Sequence, residues 1–234
     1  MADSLVAVDT WSADIAGVPR DAVRFDMMQP DIERLAALEP DLLLVSTLTR
    51  AGTNRDPFKP LADSGVRVVY IPTAISIEDI RRDTAAIAEL LGRDDAGKSL
   101  VAAMEIEIES IRAIARGIPA DARRTVMFEI SPAPYIYSFG HGVYLDELLA
   151  AAGAVNAFAG EEGWIAVSGE QALASNPDVI LTNVSYLDDP VGEICARDGW
   201  SGIAAVRTGR SQPTPDVVRA LRQIAEAVYP EYFK

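Results

Sequence analysis

The sequence predicts an α/β protein of two lobes, each a parallel sheet between helices, joined by one long helix. Three observations predict it. Ala36–Ser46 (AALEPDLLLVS) and Ala172–Asn183 (ALASNPDVILTN) repeat one pattern: a small apolar helix end, Pro-Asp, an unbroken apolar run, then a polar residue. The runs are continuous rather than alternating, as in parallel strands covered on both faces. Between the copies lies one helical pattern, Asp94 to Arg116, roughly 34 Å long at 1.5 Å per residue. That is long enough to bridge two small lobes, and sets the expected domains at 1–93, 94–117 and 118–234.

In the first lobe, LVAVD (Leu5–Asp9), the run at 42–46 and VRVVYI (Val66–Ile71) read as strands. Helical patterns occupy 31–38, the region of 58–64, and 77–91. The last has Ser76 as N-cap, Ile80, Thr84, Ile87 and Leu91 on one face, and Gly92 as its stop. The residue before each proline of the repeat is pushed out of the right-handed helical region, which ends the helix there. In the bridging helix, Val101, Met104, Ile108, Ile111 and Ala115 form the apolar seam. In the second lobe, Arg124–Ile130 and Asp178–Asn183 read as strands, and helices fall near 144–152, 169–175 and 215–228. Ser168 with Gln171 makes a capping box.

The 234 residues are 49% hydrophobic and 24% charged, as in a globular protein with a real core. No apolar run reaches the length that spans a bilayer, and MADSLVAVDTW has neither a basic n-region nor an apolar h-region. A net charge of −14 repels nucleic acid and anionic lipid. The single cysteine, Cys195, excludes an intramolecular disulfide and reads as a buried structural thiol. One histidine and one cysteine exclude the common zinc sets. No Walker A, GxGxxG or GxSxG pattern is present, so the chain reads as a binding protein, not an enzyme, with no intrinsic cofactor or metal.

Parallel α/β sheets bind ligands beyond the C-terminal ends of their strands. If two such lobes face each other, the loops after Leu44, Ile71, Ile130 and Leu181 line one cleft, rich in Ser, Thr, Tyr and Arg.

The chain resembles the substrate-binding proteins of ABC importers in the cobalamin, ferric-siderophore and haem group. The resemblance rests on LVAVDTWS, DIERLAALEPDLLLVS, GVRVVYIPTAISIEDIRRDTAAIAELLGR, the helix 94–116, VMFEISPAPYIYSFGHGVYLDELLAAAGAVNAF, WIAVSGEQALASNPDVILTN and GWSGIAAVRTGR, in that order. It implies two Rossmann-like lobes of the class III periplasmic-binding-protein type, with small hinge motion. It also implies an extracytoplasmic monomer that captures an iron chelate, haem or corrinoid and delivers it to an ABC permease. Two departures stand out. Such proteins begin with a strand and helix before the LVAVD strand, where this chain starts. They also place a strand and a polar loop after the segment matching AVRTGR, where SQPTPD follows here; there the second lobe usually offers an acid to the permease.

Trp11 follows the first strand, where the family places an aromatic against its ligand. Thr47 and Arg50 follow the second, and Arg50 can hold an anionic group bidentately. Tyr135 and Tyr137 alternate along an extended segment and share a side; their rings suit a flat macrocycle or catecholate. His141, between Gly140 and Gly142, is either a haem or cobalt ligand or a surface hydrogen-bonder. Trp164 resembles a cleft-mouth aromatic, and Tyr186 is the repeat counterpart of the Thr47–Arg50 loop. Trp200 reads as core. Glu129, at a strand end, is a cleft hydrogen-bonder or the partner of an arginine. Asp56 is the candidate permease-docking acid of the first lobe. The competing readings are an enzyme, a cofactor-assembly protein or a sensor on a similar double α/β frame.

Overall fold

The computed structural model describes residues 4–12, 15, 17–50, 56–184, 186–213 and 220–233, without the side chains of Trp11 and Pro213. The chain divides into two compact units, Met1–Thr73 and Ala74–Lys234.

In the first unit, β1 (Ala7–Asp9) pairs in parallel with β2 (Val23–Phe25), and β3 (Leu42–Ser46) pairs in parallel with β4 (Arg67–Ile71). Two short helices, α1 (Ile32–Ala36) and α2 (Lys59–Asp63), accompany them. Asp31 caps α1 by accepting from the Arg34 N–H at 3.0 Å. The core is small: Leu35, Val45, Phe58 and Leu61 are buried, with Phe25, Leu43, Val68 and Tyr70 packed around them.

The second unit begins with α3 (Ile77–Leu90) and α4 (Asp94–Ala115). Ser76 caps α3 as the sequence predicts, accepting from the Asp79 N–H. The two helices pack closely because Gly97 carries no side chain: a Cβ there would lie 2.4 Å from the Ala88 Cβ. The Ile77 N–H donates to Glu147 at 2.8 Å, which ties the start of α3 to a later helix of this unit. Residues 74–93 thus fall with the second unit, whereas the sequence reading extended the first lobe to 93.

Four parallel strands follow in the order β10-β9-β5-β7: β10 is Ser211–Pro213, β9 Val179–Thr182, β5 Thr125–Glu129 and β7 Val155–Asn156. Alternate residues leave opposite faces of this sheet. Val126, Phe128, Val179 and Leu181 join one core with Ile108, Ile111 and Ala115 of α4, α5 (Tyr144–Ala151) and α9 (Ala220–Val228). Met127 and Ile180 join the other core with Phe158, Ala172, Ile194 and Trp200, from the side of α6 (Gly169–Ser175) and α7 (Pro190–Ala196). Both faces are covered, which is why the strand runs are continuously apolar. Each fully buried aliphatic side chain contributes about 1.5–3 kcal/mol. An antiparallel pair, β6 (Tyr137–Phe139) and β8 (Trp164–Ala166), and a short helix, α8 (Ala204–Arg207), complete the unit.

The α/β class with parallel sheets is the predicted one. Three details differ. The segment SQPTPD does carry a strand: Gln212 stands opposite Leu181 in β10. Cys195 is exposed, not buried, because Ile194 takes the inward position of α7. The residues before the repeat prolines leave the right-handed helical region through the left-handed one, with φ of 48° at Glu39 and 40° at Asn176. The expected helix at 215–228 is described from Ala220 onward.

Candidate functional site

In the second unit the site is built on the segment that follows β5. The chain turns back on itself: the Ile130 N–H donates to the Tyr137 carbonyl at 2.9 Å, and the Tyr137 N–H donates to that of Ser131 at 3.2 Å. β6 then pairs with β8, Tyr137 opposite Ala166 and Phe139 opposite Trp164. Directly opposed residues share a face of an antiparallel pair, so Tyr137, Phe139, Trp164 and Ala166 lie on one side. Phe139 is fully buried and meets the Trp164 ring edge-on, with centroids 6.0 Å apart; Tyr144 meets the same ring at 6.3 Å. Trp164 and Tyr137 remain 44% and 46% exposed. The result is an aromatic shelf in which Phe139 and Tyr144 hold Trp164 edge-on while Trp164 and Tyr137 stay partly open. Burial pushes the Tyr144 hydroxyl above its ordinary pKa, keeping it neutral.

The shelf is held by backbone contact. The His141 N–H donates to the Glu161 carbonyl at 2.8 Å, and the Gly163 N–H donates to the His141 carbonyl at 2.9 Å. Gly140 permits this approach, since a Cβ there would sit 2.0 Å from the Glu161 oxygen. The His141 side chain is exposed and has no hydrogen-bond partner among the described residues. Tyr135 is 79% exposed, and Tyr186 is 66% exposed in the turn after β9.

At the end of β5, Glu129 is buried and accepts two hydrogen bonds from Arg197, at 2.5 and 3.0 Å. Arg197 also bonds Glu193 and lies over the Trp200 ring at 4.5 Å. Desolvation is the largest influence on Glu129 and holds its carboxyl above the usual range, against the opposing pull of Arg197. Glu129 is therefore the arginine partner of the two roles the sequence left open, and Trp200 is core.

In the first unit, Thr47–Arg50 forms a 3-10 turn at the end of β3. Thr47 is half-buried, while Thr49 is buried and donates to the Ser46 carbonyl at 2.8 Å. The Arg50 guanidinium lies 3.4 Å over the Tyr70 ring and donates to Asp56 at 2.5 Å. Asp56 also accepts from the Tyr70 hydroxyl and from the Phe58 N–H. Desolvation, the largest single influence, pushes the Asp56 carboxyl up; the bonds from Tyr70, Arg50 and Phe58 together outweigh it and hold the carboxyl below its usual range. The acid expected to face a permease is thus engaged by three donors. The Trp11 backbone lies in the 3-10 turn Thr10–Ser12 after β1; its side chain lies outside the described part.

Sequence reasoning named Tyr137 and Trp164 singly, which the structure sets on one face of the β6–β8 pair, and named Arg50, which lies in the turn after β3. It missed Tyr144, Tyr70 and Arg197, each of which is fixed by a partner distant in sequence. Among the described residues, no three His, Cys, Asp or Glu side chains are grouped to hold a metal ion, and no helix is long and apolar enough to cross a membrane.

Parallel sheets with Arg50 in the turn after β3, and Tyr137 and Trp164 on the segments after β5, give the architecture of a binding protein of the α/β type. The chain belongs to the periplasmic binding protein family, whose model matches residues 1–216. It is 28% identical over 246 aligned positions to the ABC transporter substrate-binding lipoprotein YvrC of Bacillus subtilis, covering 100% of this chain and 76% of that protein. It is 26% identical to a cobalamin-binding protein of Halobacterium salinarum, covering 86% of this chain and 56% of that protein. Among solved structures, a possible iron-binding periplasmic solute-binding protein from Staphylococcus epidermidis superposes with a TM-score of 0.77 at 26% identity. That match covers 96% of this chain and 90% of the other.

Proposed function

We propose that this chain is the extracytoplasmic substrate-binding component of an ABC importer, and that its cargo is a flat metal chelate: a corrinoid, a haem or an iron chelate. The observation that carries the reading is the aromatic shelf. Trp164 and Tyr137 stand partly open on one face while Phe139 and Tyr144 hold Trp164 by edge-on contacts. Preorganised rings bind a planar ligand at low entropic cost. The names of the relatives support the same cargo class: a cobalamin-binding protein and a possible iron-binding one.

In the first unit, Arg50 is the anion-binding group of this reading. Its guanidinium is held by Tyr70 and Asp56 and is half exposed, so a carboxylate or phosphate would meet a fork already oriented. Asp56 then acts as the positioning partner of Arg50. Tyr135, Tyr186 and Trp11 are further contacts, and His141 is the candidate axial ligand. The chain performs no chemistry on its cargo, works as a monomer and hands the cargo to a permease.

The test is a titration with haemin, cyanocobalamin and a ferric catecholate, followed by cargo absorbance and tryptophan fluorescence. One of the three should quench the tryptophans saturably and shift its own absorption bands. Absence of quenching, band shift and thermal stabilisation with all three would remove this cargo class.

A further inference from the structure

A groove of about 340 Å³ lies in the second unit where the last turns of α4, the segment after it and the second half of α5 meet. Its floor is small and apolar: Ala115 is buried, and Gly153 is in the left-handed region, where an added Cβ would lie 3.2 Å from the Ala115 Cβ. Its lining includes three arginines: Arg112 in the last turn of α4, Arg116 at its C-cap and Arg123 from the following segment. Residues four apart stand on one helix face, so Arg112 and Arg116 project together.

The charge around this groove is unusual for the chain. Acids outnumber Lys and Arg by 35 to 21, yet neither Arg112 nor Arg123 has a side-chain hydrogen bond or ion pair among the described residues. Arg116 has one, to Glu109 at 2.5 Å, with both groups well exposed. The one carboxylate in the groove lining, Glu147, accepts from the Ile77 N–H at 2.8 Å and so serves the first turn of α3. The helix C-terminus contributes only about half a negative charge, which the guanidiniums outweigh. Arg112 also borders a neighbouring groove with Glu78, Glu105 and Glu109, so acids approach on that side, while charges farther than about 8 Å are screened at physiological ionic strength.

We propose that this groove binds a phosphate-bearing anion. Planar guanidinium forks match tetrahedral oxyanions bidentately, and the volume suits a diphosphate-sized group rather than an extended polymer. The same chemistry is offered by a soluble phosphoanion and by the headgroup of an anionic lipid.

The test uses the whole chain at fixed ionic strength. Pyrophosphate is titrated calorimetrically. Sedimentation with phosphatidylglycerol vesicles is compared with sedimentation with phosphatidylcholine vesicles. Saturable pyrophosphate binding, weakened at least about tenfold in Arg112→Gln/Arg123→Gln, assigns the soluble source. Binding confined to phosphatidylglycerol vesicles and lost in the same variant assigns the lipid source. Glu109→Gln, which frees Arg116, should strengthen either one severalfold. No binding of either probe, or binding that is unchanged in the double variant while its circular dichroism is also unchanged, overturns the proposal.

Discussion

Arg197 stands between Glu129 and Glu193, and its loss leaves a buried carboxylate without its cation. Arg197→Ala should cost about 3–5 kcal/mol, measured by urea unfolding. The pH dependence has a definite sign. Burial raises Glu129 in the folded state, so its contribution to stability is fully present below the ordinary glutamate value of about 4.3. It is lost as pH rises through the raised value. Stability relative to Glu129→Gln should therefore fall as pH rises across that window; a rise would contradict the sign. Tyr137 gives a binding test: Tyr137→Ala should weaken cargo at least about tenfold, or about 1.4 kcal/mol, with the unfolding midpoint little changed. The extended segment at Tyr137 was legible as a local pattern, though it begins at Tyr137 and leaves Tyr135 in a bend before it. Arg197 was not, because its pairing with Glu129 spans 68 residues and nothing within EICARDGW announces a partner so far away.

Among elements, those legible in the sequence were the ones whose stability comes from burial along their own length. β3, β4, β5 and β9 are unbroken apolar runs, and α3 and α4 carry a cap or an apolar seam. β2, β6, β7, β8 and β10 are two or three residues long, too short to show a period, and exist only through their neighbours. The seam of α4 was read correctly at Ile108, Ile111 and Ala115; the role of Gly97 was not, since its reason is the Ala88 methyl of another helix. The β6–β8 pair provides the element-scale prediction. Gly140→Ala places a methyl group against the Glu161 carbonyl and should separate the two segments that seat Trp164. The expected readout is a red-shifted, more quenchable tryptophan emission and weaker cargo binding, with far-UV circular dichroism nearly unchanged. An unaltered emission spectrum would show that the shelf does not depend on this approach.

The two units differ sharply in how much apolar surface they enclose. Among the described residues, the second has a core on each face of its sheet, while the first gathers Leu35, Val45, Phe58 and Leu61 in one small cluster and buries Val8 apart from it. Small cores leave little stability once chain entropy is met. A chain of residues 74–234 should therefore unfold cooperatively on its own, and residues 1–73 should not. Differential scanning calorimetry of the two pieces decides this; a sharp transition in the smaller piece would overturn it. The fold class was legible from the repeated apolar runs. The boundary at 73 was not, because helix periodicity says where α3 begins and ends but not which layer it packs on.

Glu39 and Asn176 share an unusual torsion at matching places in the repeat. One is a residue that tolerates it and the other is not. The same bend therefore costs more conformational strain at Glu39 than at Asn176. NPDVIL in place of EPDLLL, which aligns Asn176 with Glu39, or simply Glu39→Asn, is expected to stabilise the first unit by roughly 0.5–1 kcal/mol, because the bend would then sit on a residue that tolerates it.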